Sequence, residues 1–194
     1  MLNPYEPVRL FVESRLAFSH TLLVVRANWI AACSLLFLIP MYGCSSNSVH
    51  PAVEQPDRIL VIKSTRTLSL MKNGRVLKSY AVALGRQPIG PKEKQGDHKT
   101  PEGIYAVDRK VPNSRFHLAL HVSYPSASDR EHARALGVSP GGDVEIHGVP
   151  GIFAWTGSLQ RRIDWTNGCI AVTNPEIEEI YAAVPTDTPV EIRP

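Results

Sequence analysis

From Asp57 onward, the chain consists of short apolar runs separated by turn residues. The first run, 58–63, is rich in β-branched residues, and the next two, 67–71 and 76–84, flank Asn73-Gly74, a strong hairpin signal. Further β-branched or alternating runs are 103–111, 117–123, 144–147, 170–173 and 190–192. This series of short strands predicts a mainly β fold, built as a sandwich or barrel-like pair of sheets.

Two short helices are predicted between these strands. One spans 128–136, with Ser128 or Asp129 as its N-cap and Gly137 as its C-terminal stop. The other begins at Asn174 as the N-cap and is opened by Pro175. The expected architecture is therefore a β fold with a few short helices.

The N-terminal region has the charge pattern of an export signal. No charged side chain occurs from Ala27 to Gly43, and the apolar run within this stretch has the length of a signal-peptide core. The sequence Met41-Tyr42-Gly43-Cys44 then resembles a bacterial lipobox, whose cysteine becomes lipidated after cleavage. We therefore expect a signal, lipoprotein or anchor segment at 1–44, a flexible tether at 45–57 and one folded domain at 58–194.

Two other interpretations of this N-terminal segment remain open. A second apolar run, 16–25, makes the segment long for a signal peptide and fits an uncleaved membrane anchor. Ordinary cleavage, or a misplaced start, is the other alternative. All of them export the domain, so the predicted location is the periplasm or cell envelope, with the membrane contacted through an N-terminal lipid or anchor.

Composition narrows the functional classes. The chain has 194 residues, 43% hydrophobic and 20% charged, with a net charge of +3, which excludes a disordered chain and indicates no nucleic-acid partner. Its three cysteines, Cys33, Cys44 and Cys169, are too few for a disulfide-stapled miniprotein or a four-cysteine zinc site. No metal ion and no cofactor are expected.

Cys169 is the one thiol that the export segment does not account for. It follows a glycine-bearing turn, Trp165 to Gly168, and precedes an apolar strand, so the thiol is expected to face a cleft. Gly168 allows close backbone approach, and the N–H groups of Gly168 and Cys169 are expected to face a developing oxyanion. A buried and inert cysteine is the alternative.

A cysteine nucleophile needs a base, and His147 is the best-placed histidine. It ends the alternating run Asp143-Val144-Glu145-Ile146-His147 and is followed by Gly148, at a strand end from which it can reach a neighbouring loop. His121 is the rival candidate within its own predicted strand. His98 is expected to be an exposed loop residue.

Four ordered segments resemble one family. They are Ile146-His147-Gly148, then Thr166-Asn167-Gly168-Cys169-Ile170, whose cysteine lies 22 positions after the histidine, and upstream Gly96-Asp97-His98-Lys99-Thr100-Pro101-Glu102-Gly103-Ile104-Tyr105 and Leu120-His121-Val122-Ser123-Tyr124-Pro125. Together they resemble the YkuD-type L,D-transpeptidase catalytic domain, a family of bacterial peptidoglycan cross-linking enzymes. The resemblance covers about residues 58–193 and is identified from all four segments in order.

The resemblance implies roles for individual residues. Cys169 would be the nucleophile and His147 its general base, with the Gly148 carbonyl orienting the imidazole. The family commonly has a second histidine where this chain has Asn167, and an amide cannot carry a proton at neutral pH. We therefore expect Asn167 and Gly168 to position an oxyanion or the loop, while the chemistry rests on His147. His121, Trp165 and Thr166 are weaker substrate-binding candidates.

The resemblance also implies a reaction. The enzyme would form a thioester with a peptidoglycan tetrapeptide stem and transfer it to an amine, and carbapenems would inhibit it through the same thiol. A hydrolase on the same scaffold, with water as the acceptor, is the first alternative. A non-catalytic wall-binding lipoprotein is the second.

Overall fold

The structure, a computed structural model, describes residues 54–194. The predicted signal, lipoprotein or anchor segment at 1–44 and most of the predicted tether at 45–57 lie outside these residues. Within them, eight strands alternate with two α-helices and one 3₁₀ segment: β1 (Arg58–Ile62), β2 (Thr67–Lys72), β3 (Arg75–Ala81), β4 (Gly103–Ser114), β5 (His117–Val122), α1 (Ala127–Ala135), β6 (Glu145–His147), the 3₁₀ segment Gly151–Arg162, β7 (Ile170–Ala171), α2 (Asn174–Ala183) and β8 (Pro189–Arg193). The predicted mainly β fold with a few short helices is confirmed.

The strands form one mixed sheet that closes on itself. Their order is β3-β2-β1-β8-β4-β5-β6-β7, with β1/β8 and β6/β7 parallel and every other pair antiparallel. The long strand β4 pairs with β8 along its first half and with β5 along its second. Just after β3, Ala83 exchanges two backbone hydrogen bonds with Ala171 of β7, which joins the two ends of the strand order.

The core fills the inside of this closed sheet and positions the strands that carry the chemistry. In β1, Ile59 and Val61 alternate with less buried neighbours, as expected for a strand with one face on the core. Helix α2 packs Ile177 and Ile180 against the same core. Within residues 54–194, none of the helices has the length and apolarity needed to cross a membrane.

Both helices begin at a different residue from the one predicted. Helix α1 is capped by Ser126 rather than Ser128 or Asp129, because Asp129 occupies the third helical position and accepts the Ser126 N–H at 2.8 Å. Helix α2 is capped by Thr173, with Glu176 as its reciprocal partner. The Asn174 side chain is thereby free to accept the Val149 N–H at 2.8 Å, beside the end of β6.

Candidate active site

Cys169 and His147 lie on neighbouring parallel strands. The register of β6 and β7 pairs Ile146 with Ile170 and His147 with Ala171, and Cys169 is the residue just before β7. Paired residues on adjacent strands point to the same face, and side chains alternate along each strand. Cys169 and His147 therefore share one face of the sheet, two positions apart.

The imidazole of His147 is buried and fixed. Its side chain lies against Phe116, with ring centroids 4.3 Å apart, and meets the edge of Trp165 at 5.8 Å. The residue is 1% exposed, and its Nδ1 donates to the Gly148 carbonyl at 2.6 Å. Burial lowers the pKa of His147 to about 4, although the bond to Gly148 opposes this change. At neutral pH the ring is therefore uncharged, with its proton on Nδ1 and its lone pair on Nε2.

The thiol of Cys169 is protonated at neutral pH. Burial raises its pKa to about 11, a hydrogen bond from the Glu145 backbone opposes the rise, and the carboxylates of Glu145 and Asp143 add to it. The S–H points to the Asp143 carbonyl at 3.5 Å. A thiol of this kind becomes nucleophilic only when a base removes its proton during the attack.

The turn before Cys169 is held by Thr166 and admits only glycine at position 168. The buried Thr166 hydroxyl donates to the Cys169 carbonyl at 2.7 Å and accepts the Gly168 N–H at 3.1 Å. Gly168 has a φ of +129°, and a Cβ at this position would lie 2.6 Å from the Lys99 carbonyl oxygen. The Gly168 amide is thus already bonded, contrary to the expectation that it faces an oxyanion, so the Cys169 amide is the remaining backbone candidate.

The Lys99 carbonyl belongs to the 86–102 loop, which covers this turn and is held by two ion pairs whose lysine side chains are buried, one beneath the loop and one within it. Lys63 extends beneath the loop, where its Nζ donates to the carbonyls of Gly90 (2.7 Å) and Thr100 (2.9 Å) and to Glu102 (2.7 Å). Within the loop, Asp97 accepts from Lys92 at 2.7 Å. Sequence reasoning missed both pairs, because each lysine and its partner look like ordinary surface charges along the chain.

Electrostatics reinforce the anchoring of this loop. Burial tends to raise the pKa of Asp97, but the Lys92 ammonium and the backbone N–H groups of Glu93, Lys94 and Lys99 outweigh it and lower the pKa to about 2. The carboxylate is therefore charged at every pH at which the protein is expected to work.

Two surface depressions lie beside Cys169 and His147. The polar cavity, of about 320 Å³, is lined by Lys92, Gln95, Gly96, His98, Gly141, Gly142, Asp143, Val144, Asn167, Gly168 and Cys169. The apolar groove, of about 870 Å³, is lined mainly by Phe116, Phe153, Trp155, Leu159, Ile163 and Trp165, with Arg115 among its few polar residues. Cys169 thus opens into the polar cavity, while the rings that cover His147 form part of the wall of the apolar groove.

The other histidines considered in the sequence analysis, His121 and His98, differ in their contacts. His121 pairs with Glu145 across β5 and β6, and its Nδ1 lies 2.6 Å from Asp108. The residue lines neither the polar cavity nor the apolar groove. His98, expected to be an exposed loop residue, is instead half-buried with its Nδ1 3.0 Å from Asn167 Oδ1. Within residues 54–194, no group of three His, Cys, Asp or Glu side chains is arranged to hold a metal ion.

The fold agrees with the family comparison. Residues 56–192 match the family model of YkuD, the L,D-transpeptidase catalytic domain. The chain therefore belongs to the YkuD family of L,D-transpeptidase catalytic domains.

The chain is also similar to individual proteins. YafK of Escherichia coli (strain K12), a candidate L,D-transpeptidase, is 33% identical over 175 residues, covering 80% of this chain and 63% of YafK. YqjB of Bacillus subtilis (strain 168), another candidate L,D-transpeptidase, is 27% identical over 162 residues, or 82% of each protein. The helical cell shape determining protein Pgp2 of Campylobacter jejuni has a similar structure, with a TM-score of 0.52 and 26% identity over 69% of this chain and 46% of Pgp2. The chain thus spans less than two thirds of YafK and less than half of Pgp2.

Proposed function

We propose that this protein is a cysteine-dependent L,D-transpeptidase that acts on peptidoglycan tetrapeptide stems through a thioester. One observation carries the proposal: a protonated thiol and a neutral imidazole share one face of two adjacent strands, and the Gly148 carbonyl fixes the imidazole tautomer. This arrangement fits general-base activation of a sulfur nucleophile.

The first half-reaction follows from these two groups. Cys169 Sγ attacks the carbonyl of the third stem residue while His147 Nε2 takes the thiol proton. The C–N bond to the terminal D-Ala then breaks, and His147 returns the proton to the leaving amine. The Cys169 amide and the Asn167 side chain stabilise the oxyanion that forms between these two events.

We place the donor stem along the apolar groove. Trp155 and Trp165 offer flat surfaces to the peptide, and Arg115, which lies over the Phe116 ring at 4.7 Å, supplies a cation for a stem carboxylate. The polar cavity then remains for the acceptor. Its small volume of about 320 Å³ favours a compact polar nucleophile, so hydrolysis by water is the second candidate function beside transfer to an amine.

The test uses the purified full chain and a disaccharide-tetrapeptide. Intact-mass measurement after acid quenching is expected to show one acyl adduct, which is absent from Cys169→Ala. Cross-linked dimers among the products would identify transfer, and tripeptides would identify hydrolysis. Failure of the wild-type chain to form an adduct would contradict the proposal and favour a non-catalytic wall-binding protein, and an adduct on Cys169→Ala would exclude this thiol as the nucleophile.

His147 provides an independent test of the same mechanism. Because a positioned base contributes about 10²–10⁴-fold to a rate, His147→Asn is expected to slow acylation at pH 7 by at least about 100-fold. Stopped-flow or rapid-quench mass measurement gives this rate directly. If the variant acylates at the wild-type rate, His147 is not the base and His121 becomes the candidate.

Carbapenem inhibition follows from the same thiol. The attack of Cys169 on the strained lactam carbonyl would open the C–N bond, leave a thioester and pass the thiol proton to the ring nitrogen. We expect a stoichiometric mass adduct on the wild-type chain and none on Cys169→Ala. A wild-type chain that carries no adduct after prolonged incubation would contradict this expectation.

We also propose that Cys44 carries lipid and holds the domain at a membrane of the cell envelope. The support is the uncharged stretch from Ala27 to Gly43 and the lipobox-like residues before Cys44. Labelling of cells with an alkynyl fatty acid should mark the wild-type protein and not Cys44→Ala. Equal labelling of both would exclude lipidation at Cys44, and an uncleaved N-terminus found by mass analysis would identify the anchor alternative.

A further inference from the structure

The backbone of His98 is held in an unusual conformation beside the nucleophile. Its φ is +56°, in the left-handed region that few non-glycine residues adopt. Its carbonyl accepts the Gln87 N–H at 3.1 Å and packs against Gly85, where any Cβ would collide with it. The fold therefore holds His98 at one position, in the wall of the polar cavity that Cys169 opens into.

A hydrogen bond from a distant part of the chain fixes the side chain of His98. Its Nδ1 lies 3.0 Å from Asn167 Oδ1, across 69 positions of sequence. An amide oxygen only accepts, so His98 Nδ1 donates, and Nε2 is the ring nitrogen left to accept a proton. The Gly148 carbonyl sets the same tautomer in His147.

His147 and His98 lie in different surroundings. His147 is 1% exposed, lines neither depression and lies beneath Phe116 and Trp165 of the apolar groove. His98 lines the polar cavity together with Cys169 and Asn167. A polar acceptor that reaches the acyl group through this cavity meets His98, whereas the rings on His147 cover the other imidazole.

We propose that His98 is a second catalytic base, oriented by Asn167, which takes the proton of the acceptor that resolves the acyl-enzyme. This inference rests on the proposed function. The acceptor nitrogen, or a water oxygen, attacks the thioester carbonyl, and one of its protons passes to His98 Nε2. The new C–N or C–O bond forms, the C–S bond breaks, and the proton on His98 returns to the Cys169 sulfur through water in the cavity.

The test separates the two half-reactions in the purified full chain. The variant His98→Asn tolerates a positive φ but cannot take up a proton at neutral pH. With a disaccharide-tetrapeptide, rapid-quench mass measurement should show acylation within about 2-fold of wild type, and resolution of the acyl-enzyme slowed by at least about 100-fold. The acyl-enzyme then accumulates, whereas loss of His147 prevents its formation.

His117→Asn is the matched control for this variant. His117 also has a positive φ, +79°, but its imidazole pairs with Glu178 at 2.7 Å and lines neither depression. Both half-reactions should keep their wild-type rates in this control. A slowed resolution step in His117→Asn equal to that in His98→Asn would overturn the assignment to His98.

Two further measurements distinguish proton transfer from a structural role. Added imidazole should restore resolution in His98→Gly, which keeps the backbone conformation and leaves a vacancy, and should not accelerate the wild type. Asn167→Ala should slow resolution more than it slows acylation, and this excess should disappear in the His98→Asn background, because the two residues act as one unit in the resolution step.

Each contrary outcome is specific. Wild-type resolution in His98→Asn, or an equal loss of acylation and resolution without imidazole rescue, would overturn the role of His98 while leaving the proposed function intact. A wild-type chain that forms no acyl-enzyme would overturn the proposed function and this inference with it.

Discussion

The polar cavity and the apolar groove differ in what holds their walls. The 86–102 loop, which forms much of the polar wall, is anchored by Lys63 and Lys92, whose side chains are 3% and 4% exposed. The 3₁₀ segment Gly151–Arg162, which forms much of the groove wall, contains no buried residue and is kinked at Gly157. It makes few hydrogen bonds or ion pairs to the rest of the domain, and the main one is the ion pair of Arg161 with Glu176 at 2.7 Å.

This difference suits two separate tasks. Proton transfer depends on donor and acceptor positions that stay within a few tenths of an ångström, which buried ion pairs and close glycine contacts provide. A wall with few buried contacts rearranges at low free-energy cost, which suits a surface that receives a long flexible peptide. The position of His98 depends on the first kind of wall, and the groove around Trp155 has the second.

The largest effect should come from removing the anchor beneath the polar wall. Lys63→Met leaves Glu102 and two loop carbonyls without their partner, and loss of one member of a buried pair costs about 3–5 kcal/mol. We expect this decrease in the free energy of unfolding in urea, together with slower acylation. The matched control is Arg58→Met, whose pair with Glu191 is only partly buried, with the arginine side chain 39% exposed, and which should cost at most about 1 kcal/mol. If both variants lose a similar free energy of unfolding, the Lys63 pair does not hold the 86–102 loop more firmly than a surface ion pair would.

The second prediction concerns pH and the histidine under the groove. The pKa of His147 falls from its ordinary value of 6.5 to about 4 on folding, so the unfolded chain binds this proton more tightly. The contribution of neutral His147 to the free energy of unfolding is complete above pH 6.5 and is lost as the pH falls to about 4. The total loss is about 3 kcal/mol. Urea unfolding at pH 7 and pH 4 should show this decrease in the wild type in excess of that in His147→Asn. Parallel pH curves for the two proteins would refute the shift.

The third effect tests how closely the polar wall approaches the nucleophile turn. Gly168→Ala places a methyl 2.6 Å from the Lys99 carbonyl and strains a positive φ. We expect a loss of about 2–3 kcal/mol in total, about 1–2 kcal/mol of it from the strained backbone and about 1 kcal/mol from the overlap. Gly74→Ala is the control, because its φ is +76° and nothing lies within 4 Å of the added methyl, so only the backbone cost remains. Equal unfolding free energies in the two variants would mean that the loop yields without cost.

Local patterns predicted the strands better than they predicted the contacts among loops. The Asn73-Gly74 hairpin and the β-branched run of β1 are encoded within a few residues, and both form where expected. The helix starts were misplaced because several capping residues stand side by side, and only the reciprocal bonds of Ser126 and Thr173 select one. The 3₁₀ segment gave no signal, since none of its residues is buried and it has no apolar period toward the core.

The candidate site shows the same division. Cys169 and His147 were singled out from short motifs, and the structure places them at the adjacent strands β7 and β6. The contact between His98 and Asn167 joins segments 69 positions apart and depends on the tight packing of Gly85 and Gly168 against the loop. No local pattern encodes such an approach. The positive φ of His98 was equally hidden, because no glycine or asparagine marks the position.

The smallest effect on stability is expected in the groove wall, at Trp155, which is 79% exposed. Trp155→Ala should change the free energy of unfolding by no more than about 0.5 kcal/mol, since the side chain contributes little to the packed core. If the groove receives the donor stem, the same variant should raise KM for a disaccharide-tetrapeptide by about 10-fold and leave kcat unchanged, because the lost contact contributes equally to ground state and transition state. Ile104→Ala is the control, as its side chain is 75% exposed on β4 and lines neither depression, so neither quantity should change. A loss above 2 kcal/mol in Trp155→Ala would mean that the groove wall is held as firmly as the polar wall, and an unchanged KM would place the donor stem elsewhere.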